Sequence, residues 1–219
     1  MENKDFWENC WQSENPEAMY AYLDGYYRWK DGIIDIFRAH RAERVCDAAC
    51  GFGAYSLAFA SNGFQVESFD ISPSAAEITR RGLARYGIDA RVKTASILET
   101  GYEDEAFDGV IASSVLDHMT SADARKALAE LYRITRNGGL VLVSFDTAED
   151  SDFGMAHEVL PDGSLRYAEG TPRVGMIFHP YDEDGIASLL EGKTVLYAQT
   201  NRKGEQVRIL QKRSADENL

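Results

Sequence analysis

The 219-residue sequence predicts an α/β fold, a mostly parallel sheet with helices on both faces. Three observations carry that expectation. Short apolar runs alternate with helix-period segments between residues 44 and 146. Glycine and proline punctuate the joins between them. The chain then closes on two strand-like runs, 193–200 and 205–211, joined by Asn201-Arg202-Lys203-Gly204, a turn short enough only for an antiparallel hairpin.

In order, the chain opens on an aromatic segment. Residues 1–29 hold eight of the 24 aromatic residues, including all three tryptophans, Trp7, Trp11 and Trp29. Two readings stand: the rings pin an amino-terminal helix to the body, or they form a lid that stacks on a flat or cationic ligand. An amphipathic helix follows at about 27–40. Strands are expected at 44–50, 64–70, 91–95, 107–113 and 139–146, with helices at 53–61, 73–86 and 121–136 between them. Ser72-Pro73 is a cap followed by proline at the first helical position. Asn62-Gly63 and Asn137-Gly138-Gly139 fall where helices end and a left-handed residue is wanted. Leu128, Leu131 and Thr135 mark one face of the long helix, and Gly139 to Val143 reads as a central strand buried on both sides. A short helix near 181–191 precedes the terminal hairpin. Residues 147–179, with Gly154, Pro161, Asp162-Gly163, Gly170 and Pro172, are too long for a simple loop. They are expected to hold a small hairpin around Glu158 to Tyr167. The division is thus a helical cap at 1–40, a main domain at 41–212 with an insertion at 147–179, and a flexible tail at 213–219.

Composition narrows the partners. Lys and Arg number 23 against 36 Asp and Glu, a net charge of −13 with a pI near 4.7. At 44% hydrophobic and 27% charged residues, the chain is globular in composition rather than disordered. The acid excess repels phosphate backbones and anionic lipid, and no run of five basic residues offsets it. No nucleic-acid or membrane partner is therefore expected. No stretch nears the roughly 18 apolar residues of a membrane span, and Met1-Glu2-Asn3-Lys4-Asp5 lacks the regions of a signal peptide. A cytoplasmic monomer or homodimer is expected. Cys46 and Cys50 on one strand would lie about 13 Å apart, so these and Cys10 are read as reduced thiols.

The chemical signature begins at Val45-Cys46-Asp47-Ala48-Ala49-Cys50-Gly51-Phe52-Gly53. A strand leading through Gly-x-Gly into a helix lets backbone approach a ligand at a helix amino terminus. A nicotinamide fingerprint needs a third glycine or alanine, where this chain has Ser56, and Asp47 would oppose a pyrophosphate. A carboxylate there suits an ammonium group. Asp70, 17 residues after Gly53 at the end of the second strand, is placed to accept from both ribose hydroxyls. Together they favour an adenosyl ligand that carries an amino acid.

These pieces, with Asp70-Ile71-Ser72, Phe107 to Ala112, His118 and Arg136 to Leu142, resemble the class I S-adenosylmethionine-dependent methyltransferases over residues 41–212. Within that family the chain looks most similar to small-molecule enzymes, including the tellurite-resistance type. The resemblance implies a Rossmann-like sandwich with a seven-stranded sheet in order 3-2-1-4-5-7-6, the seventh strand antiparallel. It implies S-adenosylmethionine as cofactor, S-adenosylhomocysteine as product, a small-molecule methyl acceptor and no metal. Carried over by position, Asp47 faces the methionine ammonium, Ala49, Gly51 and Gly53 line the cofactor, Asp70 binds the ribose, Ile71 packs on adenine and Ser113 completes the lining. Many relatives have an acidic residue toward the adenine amino group where this chain reads Thr94-Ala95-Ser96-Ile97, so Ser96 or the Ile97 backbone is expected to take that contact.

His118 and Asp146, at the ends of the fourth and fifth strands, are rival general bases; His157 and His179 are weaker ones. A sulfonium methyl is already activated, so an acceptor without a proton to lose would need no base. Trp11, Tyr20 and Tyr167 are the expected acceptor walls. A nicotinamide-dependent oxidoreductase and a non-catalytic adenosyl-binding module are the alternatives.

Overall fold

The computed structural model describes residues 2–25, 32–201 and 204–213. Trp29, residues 27–31 of the expected amphipathic helix at 27–40, Arg202 and Lys203 of the terminal turn, and the tail from 214 lie outside the described residues.

Two short helices lead the chain. α1 (Asn3–Ser13) starts on a capping box between Glu2 and Asp5, and α2 (Pro16–Leu23) starts with Asn15 accepting from the Glu17 amide. α3 (Gly32–Ala39) buries Ile33, Ile34 and Phe37. The alternation follows: β1 (Arg44–Ala48), α4 (Ala54–Ser61), β2 (Gln65–Asp70), α5 (Pro73–Arg85), β3 (Arg91–Thr94) and β4 (Phe107–Ala112). A single 3-10 turn (Leu116–His118) leads into α6 (Ser121–Ile134) and β5 (Thr135–Phe145). The insertion holds α7 (Asp150–Gly154), β6 (His157–Val159), β7 (Leu165–Tyr167) and β8 (Ile177–Phe178); α8 (Glu183–Leu189), β9 (Thr194–Thr200) and β10 (Gln206–Gln211) complete the chain.

The main sheet has seven strands in the order β3-β2-β1-β4-β5-β10-β9. Setting aside the three insertion strands, which pair among themselves as β6-β7-β8, this is the 3-2-1-4-5-7-6 arrangement. β3, β2, β1, β4 and β5 run parallel, and β10 pairs antiparallel with both β5 and β9. The expected insertion hairpin pairs His157 with Tyr167 and Val159 with Leu165.

Period-two alternation divides the core. Leu140 and Leu142 of β5 pack with Val45, Ile111 and Ile209 against α3 and Phe59 of α4. Val141, Val143 and Phe145 face the other way, onto Ala124, Ala127, Leu128 and Leu131 of α6 and onto α8. Burying each such leucine contributes about 2 kcal/mol of transfer free energy.

The join between α6 and β5 departs most from the sequence pattern. α6 ends at Ile134, where the Thr135 hydroxyl donates to the Leu131 carbonyl at 2.7 Å, and β5 begins at once. Asn137-Gly138-Gly139 is therefore no helix cap but an irregularity inside β5, where pairing with β4 jumps from Phe107–Thr135 to Gly109–Leu140. A Cβ on Gly139 would lie 2.6 Å from the Asp108 carbonyl oxygen, so the close approach of backbones fixes glycine there.

All three cysteines are free, Cys46 and Cys50 buried. No helix among the described residues is long and apolar enough to cross a membrane.

Candidate active site

A cavity of about 780 Å³ opens at the carboxyl ends of β1, β2 and β4, within the range of roughly 300–1,000 Å³ usual for small-molecule sites. Its floor is the turn after β1. Ala49 and Gly51 both adopt positive φ, 55° and 54°, which carries the chain off the strand two residues earlier than its apolar run suggests. Ala49, Cys50, Gly51 and Phe52 all line the cavity. Gly53 does not: it caps α4 at φ 85°, turned toward α5, where a Cβ would meet Thr79 Cγ2 at 2.9 Å. Its lack of a side chain lets α4 sit against α5, and among the expected cofactor glycines only Gly51 lines the cavity.

Asp47 and Asp70 both face this cavity. Asp47 is 3% exposed; its Oδ2 accepts from the Ser56 amide at 2.8 Å and the Ser56 hydroxyl at 2.5 Å. Burial pushes its carboxyl up to about 7 despite these donors, and the nearby Asp70 charge adds to the rise. Both donors are neutral, so the carboxylate is left in want of a cation. The same contact uses an amide of the first turn of α4 that a pyrophosphate would need. Asp70 accepts from the Gly51 amide at 3.0 Å and the Ser72 amide at 2.9 Å, and burial raises its carboxyl.

Ile71, Ala95 and Ile97 form an apolar wall beside Asp70. Ser96 is not part of it. Its hydroxyl accepts from the Leu98 amide at 3.2 Å, closing a local turn bridged from Ser96 to Glu99, so of the two expected contacts only Ile97 stands at the cavity.

On the far side, Ser113, Ser114, Val115, His118 and Met119 line the space. His118 Nε2 lies 3.7 Å from Asp146 Oδ2, ion-pair range rather than hydrogen bonding. Asp117, wholly buried, accepts the Asp146 amide at 2.7 Å and leaves its Oδ1 without a partner. Burial works against charge on His118, but Asp117 and Asp146 outweigh it, and its basicity is raised. Asp117 itself is raised to about 6 by burial. Asp146 is lowered, first by His118 and also by the Ser114 hydroxyl at 2.9 Å. Its carboxylate backs the histidine rather than lining the cavity. His157 and His179 serve the insertion: His157 Nδ1 lies 2.6 Å from the Met155 carbonyl and His179 Nδ1 2.9 Å from the Ser164 hydroxyl.

α1 lies across the cavity. Trp11 reaches Gly51, where a Cβ would touch its ring at 3.0 Å, and Trp7 meets His118 edge-on with ring centroids 4.9 Å apart. No residue of α1 is fully buried; Phe6, Trp7 and Trp11 pack partly buried against the body, and polar contacts add to their hold. Asn3 donates to the His118 carbonyl at 2.8 Å and accepts from the Ile177 amide at 3.1 Å. Glu8 accepts from the Ser72 hydroxyl at 2.5 Å and the Ser74 hydroxyl at 2.8 Å, and these donors hold its carboxyl low against some burial. Tyr20 and Tyr167, expected at the acceptor wall, are core residues. Tyr20 packs with Leu23 against Gly82 and Leu83 of α5 with the Arg85 guanidinium over its ring; Tyr167 is buried inside the insertion under Arg173.

The sequence pattern gave no signal for Glu8, Asn3, Asp117 or Glu205 as site residues, because each acts through a partner far away in the chain.

Residues 45–139 match the family described as a methyltransferase domain, and the sheet order is the one the resemblance implies. A demethylmenaquinone methyltransferase of Thermus thermophilus is 31% identical over 135 residues, 60% of this chain and 60% of that protein. Among solved structures, a SAM-dependent methyltransferase from Methanosarcina mazei has a TM-score of 0.67 at 20% identity, covering 84% of this chain and 98% of the other. The 1,6-didemethyltoxoflavin-N1-methyltransferase of Burkholderia thailandensis, solved with 1,6-didemethyltoxoflavin and S-adenosylhomocysteine bound, has a TM-score of 0.62 at 20% identity and covers 86% and 79%. The chain spans between 42% and 60% of the length of the first curated relatives it matches.

Proposed function

We propose that this protein transfers the methyl group of S-adenosylmethionine to a small-molecule acceptor and releases S-adenosylhomocysteine. The observation that carries the reading is the pair Asp47 and Asp70, two buried carboxylates on adjacent strands that flank the Gly51 backbone at the cavity floor. Asp47, raised to about 7 with only neutral donors, fits an ammonium. Asp70, held open by two amides, fits ribose hydroxyls, and Ile71 with Ile97 fits the faces of a purine.

Bound S-adenosylmethionine supplies a methyl group already activated by a sulfonium. The remaining work belongs to the protein. Trp7 and Trp11 exclude water over the cavity, with α1 as the lid and the insertion as its mooring through Ile177. Val115, Met119 and the sheet edge align the acceptor. For an acceptor that holds a proton, His118 is the base, with Asp117 and Asp146 stabilising the imidazolium that forms. Their charges also raise its basicity, so the base works best above its ordinary range.

Calorimetry with S-adenosylhomocysteine and with NAD tests the cofactor. Binding of the former alone, weakened at least tenfold by Asp70→Asn, is expected; binding of NAD alone would overturn the reading. Turnover against thiols, phenols, amines and metalloid oxyanions then separates an enzyme from a binding module.

A further inference from the structure

The end of the cavity away from Asp47 and Asp70 carries the Glu205 carboxylate and a run of hydrogen-bonded serines that ends behind it at Asp146. Asp146 Oδ1 accepts from the Ser114 hydroxyl at 2.9 Å. The Ser114 amide donates to the Ser144 hydroxyl at 3.0 Å, and Ser144 lies 2.8 Å from the Ser113 hydroxyl. Ser113 reaches Glu205 Oε1 at 3.3 Å, while the Asn201 side-chain amide donates to Glu205 Oε2 at 2.6 Å. Ser144 already accepts the Ser114 amide, so donation from Ser144 to Ser113 leaves the Ser113 hydrogen free to point at Glu205. The Ser144 and Ser113 hydroxyls then both point toward that carboxylate, while the Ser114 hydroxyl donates the other way, to Asp146.

Glu205, Asn201, Gln199 and Ser113 all line the cavity. Glu205 precedes β10, three strands from β1 across β4 and β5, or roughly 14 Å at about 4.8 Å a strand. It therefore stands apart from the cofactor carboxylates. Its two donors are neutral, and a carboxylate has about four acceptor sites, so about two remain for a ligand. Among the described residues, the charged groups lining this end are Glu205 and His118, with Asp117 and Asp146 behind His118 and Lys4 exposed on α1 at the rim. His118 is compensated by the two aspartates, which leaves Glu205 to set the sign.

Resting on the methyl-transfer reading, we infer that the acceptor is a nitrogen compound, an amine or N-heterocycle, whose N–H is held by Glu205; it reacts unprotonated, its lone pair bonding the methyl carbon as the carbon–sulfur bond of the sulfonium breaks, and the proton then shed by the product nitrogen passes to Glu205. The aromatic walls, Trp7 and Tyr55 among them, suit a flat body attached to that nitrogen. Carboxylates and oxyanions are disfavoured, because each would place a second negative charge beside Glu205 in a partly desolvated space.

The test uses the full chain saturated with S-adenosylhomocysteine and a panel of aromatic amines with matched carboxylates, tryptamine and indole-3-propionate among them. The amines are expected to bind at least tenfold more tightly than their carboxylate partners. Glu205→Gln, which keeps an oxygen for Asn201, is expected to abolish that preference while leaving S-adenosylhomocysteine affinity within about twofold. No amine binding, equal or better carboxylate binding, or a preference that survives Glu205→Gln would each overturn the inference. Failure of the wild-type chain to bind S-adenosylhomocysteine would instead reject the underlying methyl-transfer reading.

Discussion

Asp47 gives the sharpest test of the cofactor site, because its proton and its proposed ligand compete. Its carboxyl is raised from 3.8 to about 7 by burial, against the pull of two Ser56 donors. Three units correspond to about 4 kcal/mol spent on burying the charge. The group is raised above its unfolded value, so the folded protein binds more protons than the unfolded one between about pH 4 and pH 7. Stability of the free protein therefore falls as pH rises through that window and levels off above it. Asp70 and Asp117, raised as well, act in the same direction. Glu130 and Asp162, lowered to about 2, stabilise at pH values above their unfolded ranges and lose that contribution only in stronger acid. An ammonium against Asp47 ionises it, so S-adenosylhomocysteine is expected to release about half a proton at pH 7 and to bind about tenfold more weakly at pH 6 than at pH 8. Calorimetry at pH 7 in buffers of differing ionisation enthalpy reads the proton directly. Asp47→Asn should abolish the proton release, weaken binding and stabilise the free protein at pH 8. Binding heats that ignore the buffer, or equal affinity at the two pH values, would refute the reasoning.

Three further outcomes follow from the geometry. Glu8→Ala removes the contacts to Ser72 and Ser74; exchange of the α1 amides should accelerate at least tenfold with little change in melting temperature, since α1 buries no whole residue. Unchanged protection would show that α1 is held by something else. Gly53→Ala places a methyl 2.9 Å from Thr79 Cγ2 at φ 85° and should cost roughly 2–3 kcal/mol in urea denaturation, whereas a neutral effect would contradict the packing described. His118→Gln should lower turnover of a proton-bearing acceptor about 10²–10⁴-fold and remove a pH dependence that rises above the ordinary histidine range; with a thiolate acceptor it should change little. Equal losses with both acceptor types would assign His118 a structural role.

The sheet was legible because β-strand alternation and helical period are local. Val141 and Leu142 had to face opposite sides whatever lay beyond them. Asp47 and Asp70 were legible for a related reason: strand ends share one edge in a parallel sheet. What local pattern cannot supply is the identity of a distant partner. Tyr20 and Tyr167 read as acceptor walls because aromatic residues suit either core or ligand, and only their neighbours in α5 and around Arg173 decide between these. Gly138-Gly139 looked like a helix stop because left-handed glycine serves caps and bulges alike; the Asp108 carbonyl beside Gly139 is what distinguishes them. Ser96 resembled a ligand group until its hydroxyl was taken by a backbone amide two residues on.

α1 is pegged at Asn3 near His118 and at Glu8 near Asp70, so a single rigid element overlies both ends of the cavity. With α1 as the lid, departure of the spent cofactor and entry of a new acceptor share one doorway. Turnover would then be paced by how often both pegs let go together, and it should slow in viscous solvent even where the methyl transfer itself is fast.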